Sequence, residues 1–249
     1  MPGLSLVDRL RMAGRSSLLQ ATWNYERQQG VGWAWSLAPA LERFYPDRAT
    51  RLDRLAEHTA FFNTQPTLAS LALGAAAMLE EQRAATGQPD AAGMTRIKNA
   101  MGSSLAAIGD RLFWFTLRPL SALIGTLLAT ASPWLGALAL VLCYNAVHQT
   151  VRVLGISWGY RLGPAVLSPV LRGRLERMIH AGALLGVAAA GALVAALLVP
   201  GGRPSPLEFQ LLLAGGLVVG LVATGRVRPS PTEWALGVAA LSWAGAWLS

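Results

Sequence analysis

The sequence PLSALIGTLLATASPWLGALALVLCYNAV, at residues 119–147, carries no charged side chain and decides the class of fold. As an α-helix it would be roughly 43 Å long, against ~30 Å for the hydrocarbon core of a bilayer. Pro133 lies inside the run and would kink or split a helix there, because proline has no N–H to donate. The run therefore predicts a membrane span with a kink or a break at Pro133.

Three further apolar runs follow, at residues 178–199, 207–224 and 231–248. Each is about 18 to 22 residues long, the length that a helix needs to cross the hydrocarbon core. Of all 249 residues, 53% are hydrophobic and only 14% are charged, whereas an average soluble domain has about 25% charged residues. The composition predicts an all-α membrane protein, with about four transmembrane helices in residues 119–249.

The chain is basic, with a net charge of +8. In a soluble protein this charge would suggest nucleic acid, but here the arginines lie beside or between apolar runs. Five arginines fall in residues 149–177 and two in residues 225–230, whereas residues 200–205 contain only Arg203. Because basic loops stay in the cytoplasm, we predict that both Arg-rich loops are inside, that the C-terminus is outside, and that nucleic acid is not a partner.

The first half of the chain is more polar and falls into two predicted regions. Residues 1–58 are expected to form an amphipathic interfacial helix, a polar-aromatic stretch and a charged, solvated helix at residues 42–58. Residues 59–118 contain apolar segments at 67–79 and 94–115 that are too short or too interrupted to span. We predict two re-entrant or broken helical hairpins that frame a midplane binding site. The alternative is one buried core helix and one surface helix.

The polar and aromatic stretch LLQATWNYERQQ, at residues 18–29, stands out in a chain this apolar. On an α-helix, Gln20, Asn24 and Gln28 would share one face. Glu26 would point roughly the other way. A polar stripe of this kind must face water, a partner or a polar ligand.

Sequence signatures of catalysis are missing. The chain has no GxxxxGK(S/T) or GxGxxG phosphate loop, no nucleophile elbow and no zinc-deaminase pattern. The three histidines are far apart and the single cysteine, Cys143, lies in an apolar run, so we expect no metal site and an inert thiol. The adjacent carboxylates Glu80 and Glu81 are expected to be solvated beside a linker. The chain is predicted to bind rather than to catalyse, with no cofactor.

Six motifs occur in an order that is similar to a known family. They resemble the IID component of the mannose/fructose/sorbose family of bacterial phosphotransferase systems (PTS), strongly over residues 13–163 and by pattern beyond. Two positions depart from the family, because Ser104 and Arg111 stand where it usually has proline. The motifs are QATWNYERQQGVGW (20–33), HTAFFNTQP (58–66), LEEQRAATG (79–87), IKNAMG (97–102), GDRLFWFTLRP (109–119) and WGYRLG (158–163).

The resemblance implies a non-catalytic, multi-pass permease subunit of the bacterial inner membrane. It implies a IIC membrane partner, with which IID forms a trimer of heterodimers that moves a hexose by an elevator-like motion. Phosphate would come from separate IIA and IIB domains, so IID itself would carry no phosphorylated residue. The sugar would be held between IIC and IID by the NYERxQ and FFNTxP motifs, at residues 24–29 and 61–66.

These two motifs supply the predicted substrate-binding residues. Amides donate and accept hydrogen bonds, a carboxylate accepts two hydroxyls, and an aromatic face covers the C–H side of a sugar. For Arg27 an ion pair with Glu26 or a helix cap is an equal alternative, and for Asn63 the alternative is an Asx turn before Pro66. The predicted set is Asn24, Glu26, Gln28 and Asn63, with Trp23 or Phe62 as walls.

Two other functions stay open at this point. A structural or regulatory membrane subunit would bind IIC but not sugar, and the departures at Ser104 and Arg111 motivate it. A secondary transporter acting alone would fit the broken-helix pattern, but it would lack an intramembrane charge pair beyond Glu26 and Arg27.

Overall fold

Residues 3–198 are described by a computed structural model and form α-helices joined by loops and turns. These helices are α1 (Leu6–Ser16), α2 (Gly30–Phe44), α3 (Arg48–His58), α4 (Ala69–Thr86), α5 (Ala91–Leu112), α6 (Arg118–Ala129), α7 (Pro133–Leu162) and α8 (Pro169–Leu198). A π turn at Phe113–Leu117 joins α5 to α6, and a 3₁₀ turn at Gly163–Leu167 joins α7 to α8. The described residues up to Ala189 form one compact unit.

Local sequence signals set where several helices begin and end. At α1, the Ser5 hydroxyl accepts the Asp8 N–H and the Asp8 carboxylate accepts the Ser5 N–H, each at 3.2 Å, which is a capping box. Asp47 and Asp90 cap α3 and α5 by accepting a backbone N–H of the first turn. α4 ends at Thr86 and is capped by Gly87, whose φ of 77° is in the left-handed region that favours glycine.

α4 is the central helix, and residues 69–77 are all buried. It packs against α2, α5 and α7. A helix that is apolar on every side needs neighbours all round it, as inside a protein. The short apolar run at residues 67–79 therefore contributes a buried core helix, which is the alternative that the sequence left open.

The second apolar segment, predicted to be broken, is continuous, so that prediction is wrong. α5, the π turn and α6 follow one another as a single helix over Ala91–Ala129. The glycines of α5 do not break the helix. They allow other segments to pack closely against it. A Cβ at Gly102 would lie 3.0 Å from the Asn63 carbonyl oxygen, and a Cβ at Gly109 would lie 2.6 Å from Cβ of Gln65.

The two departures from the family pattern both fall within this continuous helix. Ser104 and Arg111 both lie inside α5, where a proline would remove a hydrogen bond and clash with the preceding turn. Arg111 also reaches α8, where its Nη1 lies 2.7 Å from Oε1 of Glu176. A non-proline residue at these positions therefore permits an unbroken α5.

The part of the chain that the structure describes contains three helices long and apolar enough to cross a membrane. They are Ala91–Ala129, Pro133–Leu167 and Pro169–Val194. The predicted run at residues 119–147 is split, because α6 ends at Ala129 and α7 begins with Pro133 in its first turn. The predicted spans at residues 207–224 and 231–248 lie outside the described residues.

α1 leaves one apolar side uncovered. Leu6, Val7 and Leu10 are 68%, 66% and 53% exposed. On another side of the helix, the Arg9 guanidinium lies 5.1 Å from the ring centroid of Tyr160 and so attaches the helix to α7. This arrangement fits an amphipathic interfacial helix; its contact with lipid stays a prediction.

α4 and α7 approach one another backbone to backbone. Gly74 of α4 faces the Ile156 carbonyl of α7, and Gly159 of α7 faces the Leu71 carbonyl of α4. A Cβ at either glycine would overlap that carbonyl. The missing side chains of these two glycines permit the close approach.

We expect Gly159→Ala to destabilise the fold, because the added Cβ would meet the Leu71 carbonyl. Overpacking of this kind costs about 1–3 kcal/mol, so the melting temperature of the detergent-purified protein should fall. Gly173→Ala is the matched control, since a Cβ there meets nothing within 4 Å. Equal melting temperatures for the two variants would contradict the close packing of α4 and α7.

Candidate functional site

Residues 17–29 form a loop between α1 and α2, so the helical face on which Gln20, Asn24 and Gln28 would align does not form. The Asn24 side chain explains the local conformation. Its Oδ1 accepts the backbone N–H of Glu26 at 3.1 Å and of Arg27 at 2.8 Å, an Asx turn that competes with helix formation. Gln28 has a φ of 52°, in the left-handed region. The predicted helical stripe of polar side chains is therefore absent.

The NYERxQ and FFNTxP motifs meet through a short backbone pairing. Gln29 donates its N–H to the Phe62 carbonyl at 2.8 Å, and Phe62 donates its N–H to the Arg27 carbonyl at 3.3 Å. The Gln29 side chain completes the pairing, with Nε2 donating to the Thr64 carbonyl at 2.8 Å and Oε1 accepting the Thr64 N–H at 3.0 Å. Gln29 is 1% exposed, so these bonds form in the interior. We name the two segments, residues 23–29 and 61–66, the paired motif loops.

The polar residues predicted to bind sugar lie on the outer side of this pairing. The backbone of Asn24 pairs with that of Gln28, and the backbone of Gln28 pairs with that of Phe62. Both motifs therefore contribute to one surface. Asn24, Glu26 and Asn63 are exposed, and Gln28 is half-buried. The structure thus brings the predicted amides together and leaves them uncovered in the single chain.

The two predicted aromatic walls are placed differently. Trp23 is 41% exposed, and its ring centroid lies 5.0 Å from that of Tyr25 in an edge contact. Phe62 is 1% exposed and packs in the core on Trp33, at 4.0 Å between centroids. Phe62 therefore supports the loop from below, whereas a ligand can reach Trp23, Tyr25 and Phe61, the last of which is 57% exposed.

The structure also separates the alternatives for Arg27 and Asn63. Nε of Arg27 lies 3.7 Å from Oε1 of Glu26. Arg27 therefore forms the ion pair with Glu26 that was one of its alternatives. Within residues 3–198 the Asn63 amide has no hydrogen-bond partner. Gln65 makes the turn instead, since its Oε1 accepts the Thr67 N–H at 2.8 Å before α4 begins. The Asn63 side chain is thus free to contact a ligand or a partner.

A buried polar cluster beneath the paired motif loops was not predicted. Trp33 donates its indole N–H to Nδ1 of His58 at 3.2 Å, and Nε2 of His58 lies 2.9 Å from Oε1 of Glu80. The Tyr45 hydroxyl donates to Oε2 of Glu80 at 2.6 Å, and Nη1 of Arg83 lies 3.6 Å from Oε1 of Glu80. The Glu80 side chain is 0% exposed, so the expectation that it is solvated is wrong.

Hydrogen bonding fixes the protonation of this cluster. Because Nδ1 of His58 accepts the Trp33 N–H, the ring proton is on Nε2 and points to Glu80. Burial lowers the pKa of His58, which keeps the ring neutral. Burial alone would raise the pKa of Glu80, but hydrogen bonds from His58 and Tyr45 and the charge of Arg83 outweigh it and lower that pKa. Glu80 is therefore ionised at neutral pH.

Lys98 supports the second motif from α5. Its Nζ donates to the carbonyls of His58 at 2.9 Å and Ala60 at 3.2 Å, and lies 5.5 Å from the ring centroid of Phe62. His58, Glu80 and Lys98 each belong to one of the six sequence motifs. Three separate motifs each contain one ionisable side chain of this buried layer. That recurrence was the sequence signal from which the layer could have been predicted.

The arrangement suits non-covalent binding of a polyhydroxylated ligand. Its outer surface offers amide donors and acceptors, one carboxylate and an exposed aromatic pair. The buried layer below holds the backbone of both loops. Among the described residues, no three His, Cys, Asp or Glu side chains converge on a position that would hold a metal ion.

Gln29→Leu should separate the paired motif loops, because leucine leaves the Thr64 N–H and C=O without partners. An unpaired buried polar group costs about 1–3 kcal/mol, so the melting temperature should fall and hydrogen exchange at the Thr64 amide should accelerate. Gln20→Leu, at an exposed position of the same loop, is the control. Equal behaviour of the two variants would argue against this role of Gln29.

The His58–Glu80 pair predicts a loss of stability on acidification. Both pKa values are lowered in the folded state, so the stability they contribute is present above the unfolded pKa and is lost as pH falls. The melting temperature should begin to decline near pH 6.5, the ordinary pKa of histidine. His58→Gln keeps an acceptor for Trp33 and a donor for Glu80 but does not titrate.

The measurement is the melting temperature between about pH 7 and pH 5, where histidine titrates. His58→Gln should flatten the decline over this range. His180→Gln, at an exposed position, should leave the decline as it is. An unchanged pH dependence in His58→Gln would show that this pair does not control acid stability.

Comparison with known proteins shows similarity over most of the chain. The family model described as "PTS system mannose/fructose/sorbose family IID component" matches residues 4–200. The "PTS system mannose-specific EIID component" of Escherichia coli (strain K12) is 36% identical over 181 residues, which are 72% of this chain and 64% of that relative. The chain thus matches slightly less than two thirds of that relative's length. The "PTS system sorbose-specific EIID component" of Klebsiella pneumoniae is 34% identical over 187 residues, 75% of this chain and 68% of that relative.

Two solved structures share the fold. One, titled "Structure of membrane protein", is 29% identical with a TM-score of 0.79, covering 98% of this chain and 97% of that chain. The other, titled "CryoEM Structure of Mannose Transporter ManYZ and Microcin E492 (MceA) complex", is 30% identical with a TM-score of 0.62, covering 100% and 98%. The predicted class of all-α membrane protein is confirmed. As the six motifs indicated, the chain belongs to the mannose/fructose/sorbose family of PTS IID components.

Proposed function

We propose that the chain is the IID subunit of a sugar-specific phosphotransferase permease in the bacterial inner membrane. With a IIC subunit it binds a hexose and moves it across the bilayer, by an elevator-like motion within a trimer of heterodimers. Separate IIA and IIB domains supply the phosphate, and this chain does not catalyse the transfer. The observation that carries the proposal is the uncovered group of amides and a carboxylate on the paired motif loops.

The exposure of this group supports a ligand that is shared with a partner. A hydrogen bond to a sugar contributes most where water is excluded, because in water it replaces an equally good bond to solvent. In the single chain, Asn24, Glu26 and Asn63 face outwards, with Trp23 and Tyr25 beside them. A second membrane subunit that covers the paired motif loops would exclude water and bury the sugar between the two chains. This is the role proposed for IIC.

The predicted residues divide into ligand contacts and support. Among residues 3–198 the Asn63 amide has no hydrogen-bond partner, and Gln28 and Glu26 are accessible, so these three are the proposed hexose contacts. Asn24 uses Oδ1 to hold the turn, so its role toward the sugar is a hydrogen bond donated from Nδ2. Phe62 holds the loop from the core and is not a proposed contact.

The names of the relatives support the class of ligand. The Escherichia coli relative is called mannose-specific, and the Klebsiella pneumoniae relative is called sorbose-specific. One solved relative is titled a mannose transporter. We propose a sugar of the same class for this chain.

A second candidate is a structural or regulatory subunit that binds IIC but not sugar. The ion pair between Arg111 and Glu176 favours it, since it ties α5 to α8 where the family usually has proline. Such a tie opposes relative movement of the two helices during transport. The two side chains are 53% and 34% exposed, and an exposed pair contributes about 0–1 kcal/mol. The tie is therefore weak, and the permease function is the better supported.

Asn63→Ala should weaken hexose binding about 2- to 12-fold, since a neutral hydrogen bond contributes about 0.5–1.5 kcal/mol. The measurement is calorimetric titration of mannose into the purified complex of this chain with its IIC partner. Gln82→Ala is the matched control, because Gln82 is exposed near the other end of α4. It should bind mannose as the unaltered complex does.

Two outcomes separate the site from the function. Unchanged affinity in Asn63→Ala would remove this residue from the sugar site. A complex that assembles but shows no rise in melting temperature with any hexose would contradict the permease function and support the second candidate.

A further inference from the structure

An apolar groove lies between α7 and α8, and none of its lining residues belongs to the paired motif loops. Its volume is about 670 Å³. Leu68, Leu71 and Leu112 contribute to its walls together with apolar side chains of α7 and α8. Trp158 and Met178 on its rim are 40% and 44% exposed. Because α7 and α8 are both candidate membrane spans, the groove opens toward the lipid phase or toward a membrane partner.

Two arginines line one end of this groove. Arg161 is the last but one residue of α7 and Arg174 lies in the second turn of α8, so both flank the connection Gly163–Leu167. Within residues 3–198 neither guanidinium has a hydrogen bond or a salt bridge, and no carboxylate lines the groove. Glu176, which is close in sequence, is paired with Arg111. The groove therefore combines apolar walls with two uncompensated positive charges.

We infer that the groove binds an anionic phospholipid, with an acyl chain along the apolar walls and the phosphate against Arg161 and Arg174. Basic pockets between membrane helices select anionic headgroups by charge. From Ala146 to Leu162 the groove follows α7 for about 24 Å, which exceeds the ~15 Å hydrocarbon depth of one leaflet. It therefore accommodates an acyl chain and reaches the headgroup level. Trp158, near the basic end, is a residue type enriched at that level.

The charge pattern favours a lipid over a helix of a partner protein. Such a helix would need acidic side chains at one end to neutralise both arginines. A phospholipid has narrow acyl chains with a charged phosphate at one end. The groove likewise has apolar walls with two arginines at one end.

The test uses the delipidated, detergent-purified complex of this chain with its membrane partner. Native mass spectrometry compares the retention of dioleoyl phosphatidylglycerol with that of dioleoyl phosphatidylcholine, which has the same acyl chains and no net charge. We expect the anionic lipid to be retained in preference. Arg161→Gln and Arg174→Gln should each lower its retention about fivefold, equivalent to the about 1 kcal/mol that one basic side chain contributes at an anionic surface.

Two further variants make the test specific. Arg177→Gln removes an exposed arginine of α8 that does not line the groove, and it should retain the anionic lipid as the unaltered complex does. Thr150→Trp fills the groove without a change of charge, and it should lower the retention of both lipids. The melting temperature of each variant complex establishes that it is folded.

Several results would overturn the inference. Equal retention of the two lipids by the unaltered complex would show that the arginines do not select a headgroup. An equal loss in Arg177→Gln would show a general effect of charge, and unchanged retention in Thr150→Trp would show that the lipid lies elsewhere. A delipidated complex that takes up neither lipid would assign the groove to the partner subunit.

Discussion

The side-chain amide of Gln29, paired with the backbone of Thr64, is the interaction on which the candidate site depends. The two residues are 35 positions apart, and each lies in a loop without a helix or strand of its own. One buried amide provides both the donor and the acceptor that a regular backbone ladder would otherwise supply. Once this pairing forms, the polar residues of both motifs share one surface.

The layer beneath the pairing joins that surface to the membrane helices. α4 begins directly after the second motif and carries Glu80 toward its other end, so the core helix of the fold also supports the site. An ionised carboxylate is tolerated there because His58, Tyr45 and Arg83 satisfy it. α7 then packs on α4 through Gly74 and Gly159, which fixes the distance between the candidate site and a candidate membrane span.

Two sequence-based interpretations failed for the same reason. The helical alignment considered for residues 18–29 was based on local periodicity, but the Asn24 turn and the pairing with the second motif determine that stretch. The glycines of α5 were interpreted as breaks, but Gly102 and Gly109 make room for residues 62–65. In both cases a contact with a segment distant in sequence outweighed the local preference.

The sequence by itself determined the all-α membrane class, an interruption at Pro133, the family and the two motifs of the candidate site. These features depend on composition, on the length of the apolar segments and on the residues of the motifs. All of these are properties of the local sequence. Only the tertiary structure decided that Gln29 rather than Gln28 is buried, that Phe62 supports the loop from the core, and that Glu80 is an enclosed, ionised group. Burial and ionisation depend on neighbours that folding brings together from distant parts of the chain, and a local pattern does not contain them.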